Sequence, residues 1–496
     1  MVIDNKINKD LYRVSNFSAN SFFSQSAREE LEAKFFGKLE ILKDVNRQSV
    51  SFQLSKNEVL HSWLKYKEGF SASLVEALIN EMNLKENDII LDPFFGSGTT
   101  GLVSQMNGYS SMGFDILPTS QIAIKAKEDI YKYDINEIEQ LIEDLKGMSL
   151  PERYNEELNA FNITQGAYKK DNELFLSYLL TWQAKNKHSD EINNLLLLCT
   201  LNCLEDLSYT RKDGQYLRWD FRSDKVNATN EKRRAQGKPE LKNVLDKGKI
   251  PDVIPTVVCE LEKVMKDIEI IQHNYSKNNK DIIFYQESVL ERLPLIEDDF
   301  FSGVITSPPY CNRYDYTRTY ALELAYLGLD DRKLKELRQT LLSCTVENKT
   351  KRDTLKNYYT SIGKEERYSV IDKIVTSNKC FIEIVGALKA RGDNGDLNNK
   401  GIIRMVEGYF YELAFVFAEI QRTSKKGSKV FFVNDNVRYG GEVIPVDFLS
   451  CSLAEAFGFD VDRIYSIRQM KGNSSQQMKK YGKVALRKSI TEWTVR

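Results

Sequence analysis

Apolar positions along the chain follow two patterns. Short, almost wholly apolar runs bounded by turn residues occur at Asp88–Asp92, Ser111–Phe114, Ile282–Tyr285, Gly303–Thr306 and Lys429–Asn434. Such runs suit strands buried on both faces, as in parallel sheets. Elsewhere apolar residues recur every three or four positions, the spacing of a helix with one buried face. Ser71–Met82 places Leu74, Val75, Leu78 and Ile79 on such a face, and Thr99–Gln105, Thr119–Ile130, Ile402–Arg422 and Val446–Phe457 read alike. Near the start, Ser26–Val45 reads as one helix through Leu31, Phe35, Phe36, Leu39 and Leu42, and Ser49–Leu54 alternates like a strand. Strands over Arg463–Arg468 and Ser489–Val495 complete the set. The succession strand, glycine turn, helix, strand, acid, helix over 88–130 predicts an α/β fold, a Rossmann-like, doubly wound mixed sheet.

That alternation breaks twice, at Tyr131 and at Asp330, where long, mainly helical stretches intervene. The expected organisation is therefore a helical N-terminal segment (1–50), a ligand-binding half (51–130), a first helical insertion (131–280), a second part of the sheet domain (281–329), a second helical insertion (330–401) and the last part of the sheet (402–496).

Charge adds to this picture locally. The net charge of −1 argues against a globally basic nucleic-acid binder, but two stretches are strongly basic. Arg211–Lys249 holds twelve basic residues against six acids, and Arg463–Arg496 nine against Glu492 alone. Aromatic and amide residues interleave with the charges in both, a mixture suited to phosphate and base contact. Arg211, Lys212, Gln215, Tyr216, Arg218 and Arg222 form the expected nucleic-acid-facing group; a solvated charged face is the plainer alternative. Gly472–Gln477 reads as a hairpin loop between the last strands. No apolar run approaches the ~20 residues of a membrane span, and the polar start Met1–Asp10 is unlike a signal peptide. Seven cysteines without framework spacing predict reduced thiols and a cytoplasmic location. Cys199 and Cys203 lie one helical turn apart, but with only three histidines in the chain no metal site is expected.

Two segments carry candidate chemistry. Asp92-Pro93-Phe94-Phe95-Gly96-Ser97-Gly98-Thr99-Thr100 follows a strand and opens a helix. There, glycines permit a tight turn and close approach of a ligand, and helix amides can meet its polar end. One strand later, Asp115 stands where an acid would grip ribose hydroxyls. The loop lacks the Gly-Lys-Ser/Thr of a phosphate loop, so the pattern is that of a nucleoside site; a structural turn is the alternative. The second segment, Ser307-Pro308-Pro309-Tyr310, ends a buried strand. Its prolines fix the backbone, leaving carbonyls and the serine hydroxyl to accept from an amino group, while Tyr310 offers a ring face to a base.

Together these segments resemble the cofactor and catalytic motifs of the DNA amino-methyltransferases, the N4-cytosine and N6-adenine enzymes of restriction-modification systems. His61–Ser71 is similar to the segment that closes the methionine end of their cofactor, and Gln286-Glu287-Ser288 to the motif beside its adenine. The resemblance covers about 52–130, 282–327 and 402–495. It implies a methyltransferase fold, S-adenosylmethionine as cofactor and double-stranded DNA as substrate, with the target base flipped out. It also implies a cognate restriction endonuclease or other defence-system subunit as companion. Phe70, Ser71, Asp92, Pro93, Phe94, Gly96, Ser97, Gly98, Thr99, Thr100, Asp115 and Ser288 would hold the cofactor, and Ser307, Pro308, Pro309 and Tyr310 the target amine and ring. Asn312–Arg318 is read as a loop over the base, with Arg313 facing DNA.

The motif order departs from the usual one for this form of glycine loop, since the cofactor motif precedes the catalytic motif. No recognition domain follows the last strand, so target reading is expected in the insertions, chiefly Tyr131–Lys280, or in a partner. Serine ahead of Pro-Pro-Tyr favours N4 of cytosine over N6 of adenine. C5 chemistry is disfavoured because Cys311 follows Tyr310 and no Pro-Cys loop is present. An RNA methyltransferase, or a non-catalytic DNA-binding or scaffold subunit of the same fold, are the competing readings.

Overall fold

The computed structural model describes residues 1–46, 48–49, 54, 58–66, 69–213, 216–242, 244–274, 279–467, 475–484 and 486–496, with the backbone alone at 213, 216, 475 and 476. Its strands are β1 (Leu39–Leu42), β2 (Ile89–Asp92), β3 (Ser110–Phe114), β4 (Thr210–Asp213), β5 (Tyr216–Trp219), β6 (Ile282–Tyr285), β7 (Phe301–Thr306), β8 (Ser424–Asp435), β9 (Val437–Tyr439), β10 (Glu442–Ile444), β11 (Phe459–Ile467) and β12 (Lys488–Val495).

Eight strands form one sheet in the order β1-β11-β12-β8-β7-β2-β3-β6, while β4–β5 and β9–β10 are separate ribbons. The five strands from β8 to β6 are parallel. β12 runs antiparallel to both β8 and β11, and β1 closes the far edge parallel to β11. The fold is thus mixed α/β around a large, mostly parallel sheet. From β2 the chain moves outward to β3 and β6, then returns to the other side of β2 as β7. The strand ends on either side of that reversal are where open α/β sheets bind ligands.

The apolar runs are continuous because both faces of the sheet are covered. Leu91, Val304, Val430 and Phe432 enter one core with the helices Gly401–Thr423 and Val446–Phe457. Their neighbours Ile90, Ile305, Phe431 and Val433 enter another, with the helix Ala72–Asn80.

One expectation is corrected. The helix read over Ser26–Val45 ends at Phe35, and after a single tight turn the chain becomes β1. Leu39 and Ile41 face one core and Leu42 the other, the alternation of a strand. Four residues, three of them apolar, do not carry enough periods to distinguish the two. The strand read over Ser49–Leu54 lies largely outside the described residues, as do residues 472–474 of the C-terminal loop; Ser475–Tyr481 is a short helix.

The first insertion contains the helices Ile135–Lys146, Lys170–Gln183, Asp190–Leu207, Asp224–Ala235 and Val253–Asn274, and also the unforeseen β4–β5 hairpin. It is no appended lobe. Its buried residues, among them Cys199 and Cys203, share one core with Ala123 and Ala126 and with Tyr316, Tyr320 and Leu324 just beyond the Pro-Pro segment. All seven cysteines are free thiols, and among the described residues no His, Cys, Asp and Glu group could hold a metal. The second insertion, with helices Asp331–Thr340, Arg352–Ser361, Glu365–Ser377 and Lys379–Asp393, packs on Gly401–Thr423 through Tyr359, Tyr368 and Ile371. Buried ion pairs tie distant segments together. Arg28 bonds Glu383 at 2.7 Å and Glu442 at 3.0 Å, and Arg391 bonds Glu442 at 2.8 Å. Among the described residues no helix is long and apolar enough to cross a membrane.

Candidate active site

The loop after β2 takes its shape from glycines. Gly96 and Gly98 adopt positive φ of 53° and 78°, and a Cβ on Gly98 would come within 2.9 Å of Ile124. The amide of Phe95 donates to the carbonyl of Phe114 at 2.9 Å, fixing the loop to β3. The Phe95 ring lies flat over Gly101 and Gly113, where a Cβ would stand 2.4 and 2.1 Å from ring atoms. The Lys127 ammonium, buried beneath the loop, donates to the Ser97 carbonyl at 2.6 Å; burial pulls its pKa down to about 7.

Two carboxylates stand at neighbouring strand ends. Asp92, at the end of β2, accepts from Thr100 Oγ1 at 2.6 Å and from the amide of Phe94 at 3.0 Å. Asp115, just past β3, accepts from the amides of Gly96 at 3.0 Å and Leu117 at 2.8 Å. Burial pushes the pKa of each up to about 7 against these hydrogen bonds.

Both carboxylates face a cleft with about 750 Å³ of empty space, its open mouth included. Phe70, Pro93, Phe94, Gly96, Ser97, Thr99 and Ser288 also line it. From the second motif Ser307 and Pro309 reach the same cleft, so the ends of β2, β3, β6 and β7 converge there. Three residues expected at the ligand lie behind it. Ser71 is buried, its hydroxyl capping the helix Ala72–Asn80 through the amide of Leu74; Thr100 holds Asp92; Gly98 supplies the turn.

Tyr310 is buried, only 4 % exposed. Its hydroxyl accepts from Ser307 Oγ at 3.1 Å, and the Lys488 ammonium stands 4.6 Å from its ring centroid. One ring face is therefore occupied by a cation at the start of β12. Pro308 is buried as well. Cys311 is fully buried and its thiol is pushed well up by burial, so it is no nucleophile.

The expected nucleic-acid-facing group divides. Arg211 is exposed and pairs across the β4–β5 ladder with Arg218, so the two share one face of the hairpin. Lys212 is a correction. Alternation turns it to the other face, where it is 7 % exposed, ion-paired with Glu323 and set 4.7 Å from the Tyr320 ring centroid. Its sequence neighbourhood is basic, but its face of the strand is not. Arg222 is held by Asp220 at 2.7 and 2.9 Å, which lowers that carboxyl to about 2. Gln215 lies outside the described residues. Arg313 follows the catalytic segment at a positive φ of 68° and reaches Asn398 at 3.4 Å.

Sequence reasoning did not single out several lining residues, although Tyr66 and Tyr316 lie within the segments His61–Ser71 and Asn312–Arg318 that it placed at the cofactor and the base. Tyr66 stacks on Tyr320 at 5.6 Å and Tyr316 at 6.2 Å to build an aromatic wall. Ile116 and Leu117 follow Asp115 into the cleft, and Thr340, Leu341 and Leu342 enter it from the second insertion.

Comparison with known proteins agrees with this geometry. Residues 24–126 match the N6/N4 DNA methylase family. The chain is 50 % identical to the Type II methyltransferase M.BsoBI of Geobacillus stearothermophilus, over 97 % of this chain and 94 % of that one. It is 38 % identical to the Type II methyltransferase M.AvaI of a Nostoc species, over 96 % and 95 % respectively. With M.MjaII of Methanocaldococcus jannaschii, also a Type II methyltransferase, it shares 25 % identity over 68 % of this chain and 73 % of that one. The near-complete overlap with M.BsoBI and M.AvaI extends across both insertions as well as the sheet. The chain belongs to the DNA amino-methyltransferases of restriction-modification systems, the Type II methyltransferases.

Proposed function

We propose that the protein transfers a methyl group from S-adenosylmethionine to N4 of a cytosine flipped out of double-stranded DNA. The carrying observation is that Asp92 and Asp115, at two neighbouring strand ends, share one cleft with Ser307 and Pro309. The residues suit the cofactor: the glycine turn leaves room for its amino-acid end, Asp92 would meet the ammonium, and Asp115 the ribose hydroxyls. When bound, that group supplies an electrophilic methyl on a positively charged sulfur. An exocyclic amine is a poor nucleophile, because its lone pair is delocalised into the ring. The Ser307 hydroxyl and the carbonyls of Ser307 and Pro308 accept its hydrogens, drawing the nitrogen towards tetrahedral geometry so that its lone pair can attack. As the N–C bond forms, the methyl group's bond to sulfur would break and leave S-adenosylhomocysteine as a neutral thioether, while the excess proton on nitrogen would pass from these acceptors to solvent, with no covalent bond to the protein. Serine at 307 supports cytosine over adenine.

Residues 51–130, 281–329 and 402–496 then act as the catalytic unit and 131–280 as the target-reading unit, with the Arg211–Arg218 face of the hairpin towards DNA. Two contacts support that placement: β5 packs against the helix Tyr316–Thr319, and Lys212 bonds Glu323. Membership of restriction-modification systems supports a cognate nuclease as companion.

The test is transfer of tritiated methyl from S-adenosylmethionine to unmethylated genomic DNA, followed by nucleoside mass spectrometry, with Ser307→Ala and Tyr310→Ala as controls. N4-methylcytosine that falls by ~100-fold or more in both variants is the expected result. N6-methyladenine would overturn the base, and label confined to RNA would overturn the substrate.

A further inference from the structure

The second insertion has so far been only a helical interruption of the sheet. Its segment Thr340–Leu342 nevertheless lines the cleft beside Asp115, Ile116 and Glu287–Val289, more than 200 positions from the glycine loop in sequence. Ser288 and Thr340 also border a second hollow, with Leu290, Glu291 and Tyr358. The segment therefore stands over the residues that follow β6.

This wall is held rigidly from behind. Glu412, fully buried on the helix Gly401–Thr423, accepts from the amide of Ser343 at 2.8 Å and from the Lys351 ammonium at 2.7 Å. Lys351 donates in turn to the carbonyl of Leu341 at 2.7 Å. The same insertion grips the loop after the catalytic segment. Arg338 meets Asp315 at 3.1 Å, Arg318 meets Glu347 at 2.9 Å, and Cys344 donates to the Tyr314 carbonyl at 3.3 Å. The Lys351 ammonium and the Ser343 amide together offset the cost of burying the Glu412 carboxylate, and they fix the backbone on which Leu341 and Leu342 sit.

We infer that Thr340, Leu341 and Leu342 form the outer wall of the nucleoside half of the cofactor site, so that the second insertion serves cofactor binding and not target reading. This rests on the proposed cofactor. Leu341 and Leu342 line the same cleft as Ile116 and Leu117, and apolar side chains around one cleft suit a flat purine.

Thr340 is exposed, so an indole at that position enters the cleft with little burden on folding. Calorimetry with S-adenosylhomocysteine and, separately, with adenosine should show both affinities falling by ~10-fold or more in Thr340→Trp, and by a similar factor in Leu341→Ala. Retention of a DNA duplex in a mobility-shift assay should be unchanged. Thr340→Trp with unaltered affinity for both nucleosides would overturn the inference, as would weakened DNA retention at unaltered nucleoside affinity. Failure of the unmodified protein to bind S-adenosylhomocysteine would instead overturn the cofactor reading itself.

Discussion

At the scale of the residue, Asp92 and Asp115 set the balance between binding and stability. Burial holds both carboxyls at about 7, far above their ordinary value near 4. A carboxyl whose pKa is raised by folding contributes stability that is present at low pH and lost as pH rises through the folded value, here between about 4 and 7. Above about pH 7 both carboxylates are ionised, held by hydrogen bonds from Thr100 and from the amides of Phe94, Gly96 and Leu117. An ammonium group on the ligand favours the ionised carboxylate it meets, so affinity for S-adenosylhomocysteine, whose amino-acid end carries one, should weaken as pH falls from 8 to 6. Asp92→Asn should abolish measurable cofactor binding and raise the thermal midpoint at pH 8 by a few degrees. A lower midpoint in the variant, or affinity that is flat with pH in the unmodified protein, would contradict the assignment. Lys488 shows the opposite case, a charge spent on packing, since it stands over Tyr310 while bridging to Asp435 at 3.4 Å.

At the scale of the element, the β4–β5 hairpin divides its basic residues between two faces. Arg211 and Arg218 lie on one, while Lys212 fastens the other to Glu323 and Tyr320. Replacing Arg211 and Arg218 together by alanine should weaken DNA binding about equally for all sequences. It should also reduce the slope of log affinity against log salt by about 2, with nucleoside binding unchanged. An unchanged slope would move the DNA interface elsewhere. The hairpin also shows where the sequence is readable. β2, β3, β6, β7 and the glycine loop were legible because each is a short apolar run closed by a residue of defined chemistry. Strand β1 was not, since Leu39–Leu42 is too short to separate a period of 2 from one of 3.6. Lys212 was misread because composition counts charges without recording which way alternate side chains point. Thr340–Leu342 had no signal at all: nothing in an apolar dipeptide after a charged helix says that it lines the same cleft as residues 115–117.

At the scale of the whole molecule, both insertions are welded into the site they interrupt. The first shares its core with Tyr316 and Tyr320, and the second braces the loop around Asp315. The same interleaving governs the sheet, for β12 runs between β8 and β11 and pairs with both. During synthesis, β8 and β11 would wait with bare edges until residues 488–495 leave the ribosome, a state exposed to proteases and to wrong pairing. A ribosome-bound chain stalled with Lys488 still in the exit tunnel should be digested under pulse proteolysis that spares the finished protein; equal resistance would refute this order of completion. The two sides of the sheet would then join only once β12 has emerged, and a chain still lacking it would expose the facing edges of β8 and β11.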